Sequence, residues 1–289
     1  MKLIMDFYQD LSNYLRLSLV PPNFKIDPGT EPDEVIMRFL NWFRRRISSK
    51  PRVIHRSKEF VCPTTLEQPL MTLEEKVRNG DDLNTHLSKR LTLATKENLE
   101  NDLMFNISKV HHFHLGESIG SDGYVQRTGP LLFALVTDSD FYEINIYGHV
   151  NHWTDSNISE IVRENWPKLI DSCGNNYIEG WDYKTTDKES LHLGKCGIND
   201  FTRLSTGVFG GGIATTGRSL CVVTEATLLR RVSTKLEQLV EDKIYQRLPE
   251  SIKSELDENE NVEVKLHVDD SAGIVCAFLP RFDIRIELS

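Results

Sequence analysis

Three histidines stand within five positions of the segment VHHFHLGESIG, residues 110–120. The segment has the apolar character of a β-strand, in which alternate side chains point to opposite faces. His112 and His114 are therefore expected on one face and His111 on the other. Because imidazole titrates near neutral pH, the pair could bind a metal ion or a phosphate, or transfer a proton. The alternative is that all three are ordinary strand residues hydrogen-bonded to their neighbours.

A metal site would need a third ligand besides the pair. The sequence offers His149, His152 and Glu143, at distances that cannot be derived from it. A metal-dependent hydrolase that uses His112 and His114 is therefore kept as an alternative, while no metal and no cofactor are predicted.

Further reactive residues follow the histidine strand. Arg127 comes after a glycine-rich turn, and the next hairpin ends in IYGHVNHW, which contains Tyr147 and His149. If these strands pair, one sheet face collects a base for the 2′-hydroxyl of RNA, an acid for the leaving oxygen and a cation for the phosphate. The candidate catalytic residues are His112, His114, Arg127, His149 and Tyr147. The hypothesis requires that they meet in a cleft open to solvent; otherwise the tyrosines simply build the sheet and His149 caps a strand end.

Residues 110–150 resemble the RelE-type family of ribonuclease toxins, whose central motif runs from a basic strand through a turn to a hairpin of the form RxxxxLLFxVxDxxxYxIxIxGH. The matching stretch is VHHFHLGESIGSDGYVQRTGPLLFALVTDSDFYEINIYGHV. The resemblance implies two N-terminal helices leading into a curled antiparallel sheet that cleaves RNA without metal. It also implies phosphate binding by Arg127, acid or base roles for His114 and His149, and base stacking or proton transfer by Tyr142 or Tyr147. This chain is far longer than those toxins, is acidic, and has a C-terminal half that they lack.

A basic run extends from Arg38 to Lys58, a stretch with no acidic residue. Phe39, Leu40 and Phe43 have helical core spacing, which leaves the arginines on a solvated face. The candidate nucleic-acid-binding residues are Arg44, Arg45, Arg46, Arg52 and Arg56. The formal net charge of −9 argues against a surface that is a nucleic-acid platform throughout, so this run is the expected contact for RNA, for an acidic partner protein or for an antitoxin.

Hydrophobic periodicity predicts most of the elements. Helices are expected over residues 3–18, from Pro32, after a capping box at Thr72 and Glu75 up to Asn79, from about Leu83, over 156–166, and from Leu229 to near Pro249. Strands are expected within 52–62, in a hairpin that turns at residues 138–140, in SLCVVTEA at 219–226, and in the alternating C-terminal segments. The glycine-rich residues 208–220 are interpreted as a flexible loop.

These elements predict an α+β fold with two domains. N-terminal helices followed by a small antiparallel sheet occupy residues 1–168, an irregular connection occupies 169–217, and an antiparallel sheet with a long amphipathic helix occupies 218–289. The hydrophobic fraction of 39% and charged fraction of 27% are typical of a folded protein. Five cysteines without a CxxC pair indicate no disulfide framework.

No apolar run approaches the roughly 20 residues that span a bilayer, and the N-terminus is unlike a signal peptide, so no membrane association and a cytoplasmic location are expected. The functional hypothesis is a metal-independent endoribonuclease, acting as a toxin or phage-defence effector with a C-terminal regulatory domain. Besides the metal-dependent hydrolase, the alternative is a non-catalytic module that binds protein or nucleic acid.

Overall fold

A computed structural model describes residues 2–18, 26–89, 102–148, 156–171, 182–204, 207–214, 216, 218–257 and 260–288. It divides into two compact units. The terminal unit combines Met1–Leu40 with Thr224–Ser289, and the central unit is Asn41–Val223.

Among the described residues, the elements mix helices and strands in an α+β fold, as the sequence predicts. The strands are β1 (Lys2–Ile4), β2 (Val53–Arg56), β3 (His111–His114), β4 (Leu131–Val136), β5 (Asp140–Tyr147), β6 (Phe201–Leu204), β7 (Gly207–Gly210), β8 (Asn261–Glu263), β9 (Lys265–Asp269), β10 (Ile274–Leu279) and β11 (Ile284–Glu287). The helices are α1 (Phe7–Ser18), α2 (Pro32–Arg45), α3 (Glu67–Asn79), α4 (Leu103–Ser108), α5 (Ser156–Asn165), α6 (Pro167–Asp171), α7 (Asp187–Lys195), α8 (Leu220–Arg247) and α9 (Glu250–Lys253).

The central unit is built on a four-stranded sheet in the order β2-β5-β4-β3. The β3, β4 and β5 strands form an antiparallel meander, and β2 adds to β5 in parallel. The β4–β5 connection lies at residues 137–139, which confirms the hairpin expected from the alternating residues on either side of Asp138. A register shift between Phe133 and Ala134 marks a bulge opposite β5.

Each face of this sheet is covered by its own hydrophobic cluster. On one face, Leu73 and Val77 of α3 pack with Phe113 of β3 and Phe141 of β5; this is called the α3 face. On the other, Ile158 and Ile161 of α5, together with Met104 of α4, pack with Val110, Leu131 and Phe133; this is called the α5 face. The alternation of strand side chains therefore divides the apolar residues of β3 and β4 between two cores.

The terminal unit brings together both ends of the described chain. Strand β1 pairs in parallel with β8, and β9, β10 and β11 form an antiparallel sheet in the order β11-β10-β9. Phe7 of α1 and Val240 of α8 pack in one core with Val262 and Leu279. The amide of Phe7 also donates to Glu237 of α8, and the amide of Leu266 donates to Asp10 of α1.

Several sequence-based boundaries are corrected by this arrangement. Residues 2–4 are a strand rather than the start of the first helix, because they pair with β8. Helix α3 begins at Glu67, so Thr72 lies inside it, where its hydroxyl donates to the Gln68 carbonyl instead of capping the helix. The predicted strand SLCVVTEA forms the first turns of α8 after Ser219. The helix expected from about Leu83 is a 3-10 turn at Asn84–His86 in its described part.

The domain boundaries expected at residues 168 and 218 also differ from the observed division. Residues 2–18 and 26–40 fold with the C-terminal strands, and the described part of the expected irregular connection contains α7 and the β6–β7 hairpin. None of the described helices is long and apolar enough to cross a membrane.

Candidate functional site

The histidines of β3 lie in the interior of the central unit. In the antiparallel register His112 pairs with Phe133 and His114 with Leu131, which places both imidazoles on the α5 face, as the alternation predicts. The two residues are only 9% and 3% exposed. The expected cleft open to solvent is therefore not found at these two histidines, because α4 and α5 cover the face from which they project.

Tyr147 projects from the same sheet face, since it pairs with Leu131 and contributes to the α5-face core. Its hydroxyl oxygen accepts hydrogen bonds from Asn145 Nδ2 at 3.3 Å and from Asn157 Nδ2 at 3.1 Å. Its ring packs edge-on against Phe133, with 5.8 Å between the ring centroids. The fold thus brings His112, His114 and Tyr147 to one face, with Leu131 between His114 and Tyr147.

Of the two remaining predicted catalytic residues, Arg127 alone lies within the described part of the chain. Arg127 is exposed on the segment between β3 and β4. His149 lies outside the described residues, as does His152. Over the described ranges, no group of three or more His, Cys, Asp or Glu residues could hold a metal ion.

Arg45, predicted to contact nucleic acid, is instead an internal residue with 2% of its side chain exposed. Its guanidinium donates to the Asn41 carbonyl at 2.9 Å and to Asn106 Oδ1 at 2.6 Å, and lies 3.7 Å from Asp102. The ring of Phe105 packs against it, with 4.8 Å from Cζ to the ring centroid. Arg45 therefore ties the C-terminal end of α2 to α4, and its charge is not available to a phosphate.

Arg52 is a second correction to the expected solvated face. Its guanidinium donates to the carbonyls of Thr137 at 2.7 Å and Ser48 at 2.9 Å, and the residue is buried. Arg44 is half-buried, whereas Arg46 is exposed and lies over the Trp42 ring at 5.1 Å. The basic run is thus divided between structural arginines and surface arginines.

Arg56 is the member of the run with a geometry suited to anion binding. It pairs with Glu143 in the parallel register of β2 and β5, and its Nε donates to Glu143 Oε2 at 2.7 Å. One of its terminal nitrogens donates to Glu74 of α3, whose other carboxylate oxygen accepts from Arg78 at 2.6 Å. The buried Glu74 carboxylate therefore holds two guanidinium groups, with 48% of the Arg56 side chain and 57% of the Arg78 side chain exposed. We call Arg56, Arg78, Glu74 and Glu143 the arginine-pair site.

Glu143 is fully buried beneath this pair. Burial raises the pKa of Glu143 to about 7, with Glu74 adding to the effect and Arg56 opposing it. Its Oε1 atom is buried, and no described residue donates a hydrogen bond to it. Near neutral pH the Glu143 carboxyl is therefore protonated in part of the molecules, which leaves the positive charge of the two arginines only partly balanced.

Sequence reasoning singled out Arg56 but missed Glu74 and Arg78. Their spacing of four residues on one helix was a usable signal, since such side chains are neighbours on a helix surface. The pairing of Arg56 with Glu143 connects residues on strands far apart in the sequence, so periodicity alone could not find it.

The glycine-rich segment before α8 does not form a second anion site in its described part. Residues 212–219, GIATTGRS, have the glycine spacing of a phosphate-binding loop, with Arg218 at the usual lysine position. Ile213 and Ser219 form an antiparallel bridge, the Ala214 amide donates to the Arg218 carbonyl, and the Leu220 amide donates to the Gly212 carbonyl. The amides of Ala214 and Leu220 therefore donate to carbonyls of the same segment. Its described part is a closed hairpin rather than a loop whose amides could bind a phosphate.

No protein-family model, curated protein or solved structure matches this chain.

Proposed function

We propose that the central unit binds RNA through its phosphate backbone at the arginine-pair site. The observation that carries this proposal is that one buried carboxylate, Glu74, orients two half-exposed guanidinium groups. Arginine presents five N–H donors in a planar fork that matches phosphate oxygens. Because Glu74 already restricts both side chains, the conformational entropy cost of binding a phosphate is smaller.

The surroundings of the pair favour a nucleic-acid strand over an isolated anion. The Arg56 guanidinium lies over the half-buried Phe60 ring at 4.9 Å, so cationic and aromatic surfaces are adjacent. Exposed Lys58 follows two residues after Arg56 and supplies a further cation. Cationic grooves beside aromatic rings are typical of single-stranded nucleic-acid binding. Because the whole chain has a net charge of −9, we expect RNA to bind only at the arginine-pair site and its immediate surroundings.

Replacing Arg56 or Arg78 with glutamine is expected to weaken binding of a single-stranded RNA oligonucleotide about tenfold each, because hydrogen bonds to charged groups contribute about 1.5 kcal/mol or more. The dependence of log affinity on log salt concentration should also become shallower, by about 0.7 for each phosphate that is no longer neutralised. Fluorescence anisotropy over a salt series measures both quantities. Lys50→Gln is the matched control, since exposed Lys50 belongs to the same basic run but pairs with Asp138. An equally large effect in the control would contradict a specific site.

A second candidate function is metal-independent cleavage of RNA by the same unit, as the resemblance to RelE-type toxins implies. The strand register favours it, because His112, His114 and Tyr147 share one face of the sheet. Because α4 and α5 cover His112 and His114, this candidate requires that the two helices separate from the sheet, so that RNA reaches Tyr147 and a histidine and Arg127 neutralises the phosphate. The toxin or phage-defence role and the regulatory role of the C-terminal part stay predictions.

Cleavage is tested by incubating RNA with the full chain, with and without EDTA. We expect cleavage to survive EDTA and to fall at least tenfold in Tyr147→Phe, which retains the ring packed on Phe133 but removes the oxygen that accepts two amide hydrogen bonds. Tyr245→Phe is the control, since that tyrosine lies on α8 in the terminal unit and has no assigned role in cleavage. His114→Ala and Arg127→Ala extend the series. If the RNA stays intact, the cleavage candidate is wrong and only the RNA-binding proposal remains. If EDTA abolishes cleavage, the metal-dependent alternative is favoured.

A further inference from the structure

The central unit contains a cavity of about 750 Å³ formed by residues between Tyr183 and Phe201. Its lining includes Tyr183, Lys188, His192, Leu193, Asp200 and Phe201, none of which belongs to the arginine-pair site. Small-molecule pockets have volumes of about 300–1,000 Å³ and combine apolar walls with a few polar groups. We propose that this cavity binds a nucleoside monophosphate, with its base against the aromatic rings and its phosphate on Lys188 and His192.

The cavity walls are held in place by internal hydrogen bonds. Asp200 accepts from the hydroxyls of Thr185, at 2.7 Å, and Ser190, and its carbonyl accepts from the Gly211 amide at 2.9 Å. A side chain at Gly210 would place its Cβ 1.9 Å from that carbonyl oxygen, so the backbone approach requires glycine there. The site is thus formed before a ligand arrives, which lowers the free-energy cost of binding.

Hydrogen bonds within the chain already occupy both Asp200 carboxylate oxygens and one Glu189 oxygen in the cavity lining. The oxygens of Asp200 accept the two hydroxyls, and Glu189 accepts from the amide and hydroxyl of Thr186 in a capping box. Lys188 and His192 are exposed, and within the described ranges neither is paired with another side chain. They are four residues apart on α7 and therefore share one helix face. Lys188 and His192 are therefore the side chains on this helix face that can donate hydrogen bonds to a phosphate.

The aromatic side chains give the ligand its second feature. Tyr183 is largely exposed and Phe201 half-buried, and both line the cavity. Aromatic rings stack on any nucleobase, since every base has a π face. Free phosphate would use only Lys188 and His192, whereas a nucleoside would use only the rings. A nucleoside monophosphate uses both sets of groups at once.

The proposal is tested by calorimetric titration of the full chain with adenosine monophosphate, adenosine and inorganic phosphate. The monophosphate should bind at least tenfold more tightly than either fragment. Lys188→Gln should weaken the monophosphate about tenfold and leave adenosine unchanged, whereas Tyr183→Ala should weaken both. Lys195→Gln, on the same helix but outside the lining, is the control. No binding of the monophosphate at millimolar concentration, or equal effects of Lys188→Gln and Lys195→Gln, would overturn the proposal.

Two sources could supply this ligand, a free nucleotide or one nucleotide of an RNA strand. If an RNA oligonucleotide displaces adenosine monophosphate, the natural ligand is one nucleotide of an RNA strand. If it does not, the natural ligand is a free nucleotide. Repeating the titration in the double variant Arg56→Gln, Arg78→Gln separates the two proposals, because the cavity should still bind the monophosphate when the arginine-pair site is removed.

Discussion

Replacing Arg45 with methionine is expected to lower the free energy of unfolding of the central unit by about 3–5 kcal/mol, the usual cost of removing one partner from a buried charged network. Asp102 would keep its charge beside an apolar side chain, and Asn106 Oδ1 would lose the donor that now lies 2.6 Å away. The Asn41 carbonyl would lose a further donor. The effect should exceed that of any surface arginine, because water cannot replace these contacts in the interior.

The adjacent residue supplies the control for this experiment. Arg46 is exposed, and its main described contact is the Trp42 ring, so Arg46→Met should cost about 0.5–1 kcal/mol. Urea denaturation of the full chain, followed by circular dichroism, measures both variants in the transition of the central unit. If Arg45→Met unfolded at the same urea concentration as Arg46→Met, the buried position of Arg45 would be incorrect. Asp102→Asn should recover part of the stability when combined with Arg45→Met, since it removes the unpaired charge.

Acidification is expected to destabilise the central unit strongly through His86 and His111. Burial lowers the pKa of His111 to about 3 and that of His86 to about 4, and Lys76 adds to the effect at His86. Nδ1 of His86 donates to the His114 carbonyl at 2.9 Å, so Nε2 must accept from Lys76 at 3.0 Å and cannot also hold a proton. Both imidazoles therefore stay neutral in the folded protein well below the pH at which they titrate when unfolded.

The sign of the pH dependence follows from proton counting. Between pH 6.5 and the lowered pKa values the unfolded chain binds more protons than the folded one, so the free energy of unfolding falls as the pH falls. The slope is about 1.4 kcal/mol per pH unit for each histidine. The contribution is complete above pH 6.5 and lost progressively towards about pH 4 for His86 and pH 3 for His111. Glu143 acts in the opposite sense, because its raised pKa makes the folded state hold the extra proton between its ordinary range and about 7.

Variants isolate the two histidines from the other titrating groups. His111→Phe keeps an aromatic ring against Phe105, which lies 4.7 Å from the imidazole in wild type. The variant should reduce the slope of the free energy of unfolding against pH by about 1.4 kcal/mol per pH unit between pH 6.5 and about pH 3. His86→Gln should do the same above pH 4. The free energy of unfolding is measured by urea denaturation at a series of pH values. Because wild type and the variants all contain Glu143, its contribution cancels in the difference between them at each pH. A His111→Phe profile as steep as that of wild type would contradict the contribution assigned to His111.

Local signals in the sequence predicted the elements that depend on neighbouring residues. Proline at the first position of α2 and Gly80 after α3, which has a φ of 78°, mark helix ends by backbone chemistry alone. The strand predicted in SLCVVTEA was wrong because its β-branched residues favour extended structure. In α8, Val222 and Ala226 are four residues apart and both buried, so tertiary packing overrides that preference.

The site was only partly predictable, for a geometric reason. Successive residues on a helix point about 100° apart, so Arg44 and Arg45, the last two residues of α2, cannot both lie at the centre of one solvated face. The sequence does not say which of them turns inward; the position of α4 decides that it is Arg45. Similarly, alternation placed His112 and His114 on one strand face, but only the packing of α4 and α5 decides that this face is covered.

The discontinuous terminal unit has a consequence for biosynthesis. Strand β1 leaves the ribosome before the central unit is translated, yet its partner β8 follows the central unit in the sequence. At roughly 5–20 residues per second, the nascent β1 and α1 segments wait on the order of ten seconds or more for that partner. The central unit can fold during this interval, whereas the apolar side chains of β1 and α1 stay without their native neighbours. Nascent-chain aggregation and chaperone recruitment should therefore originate at this N-terminal segment.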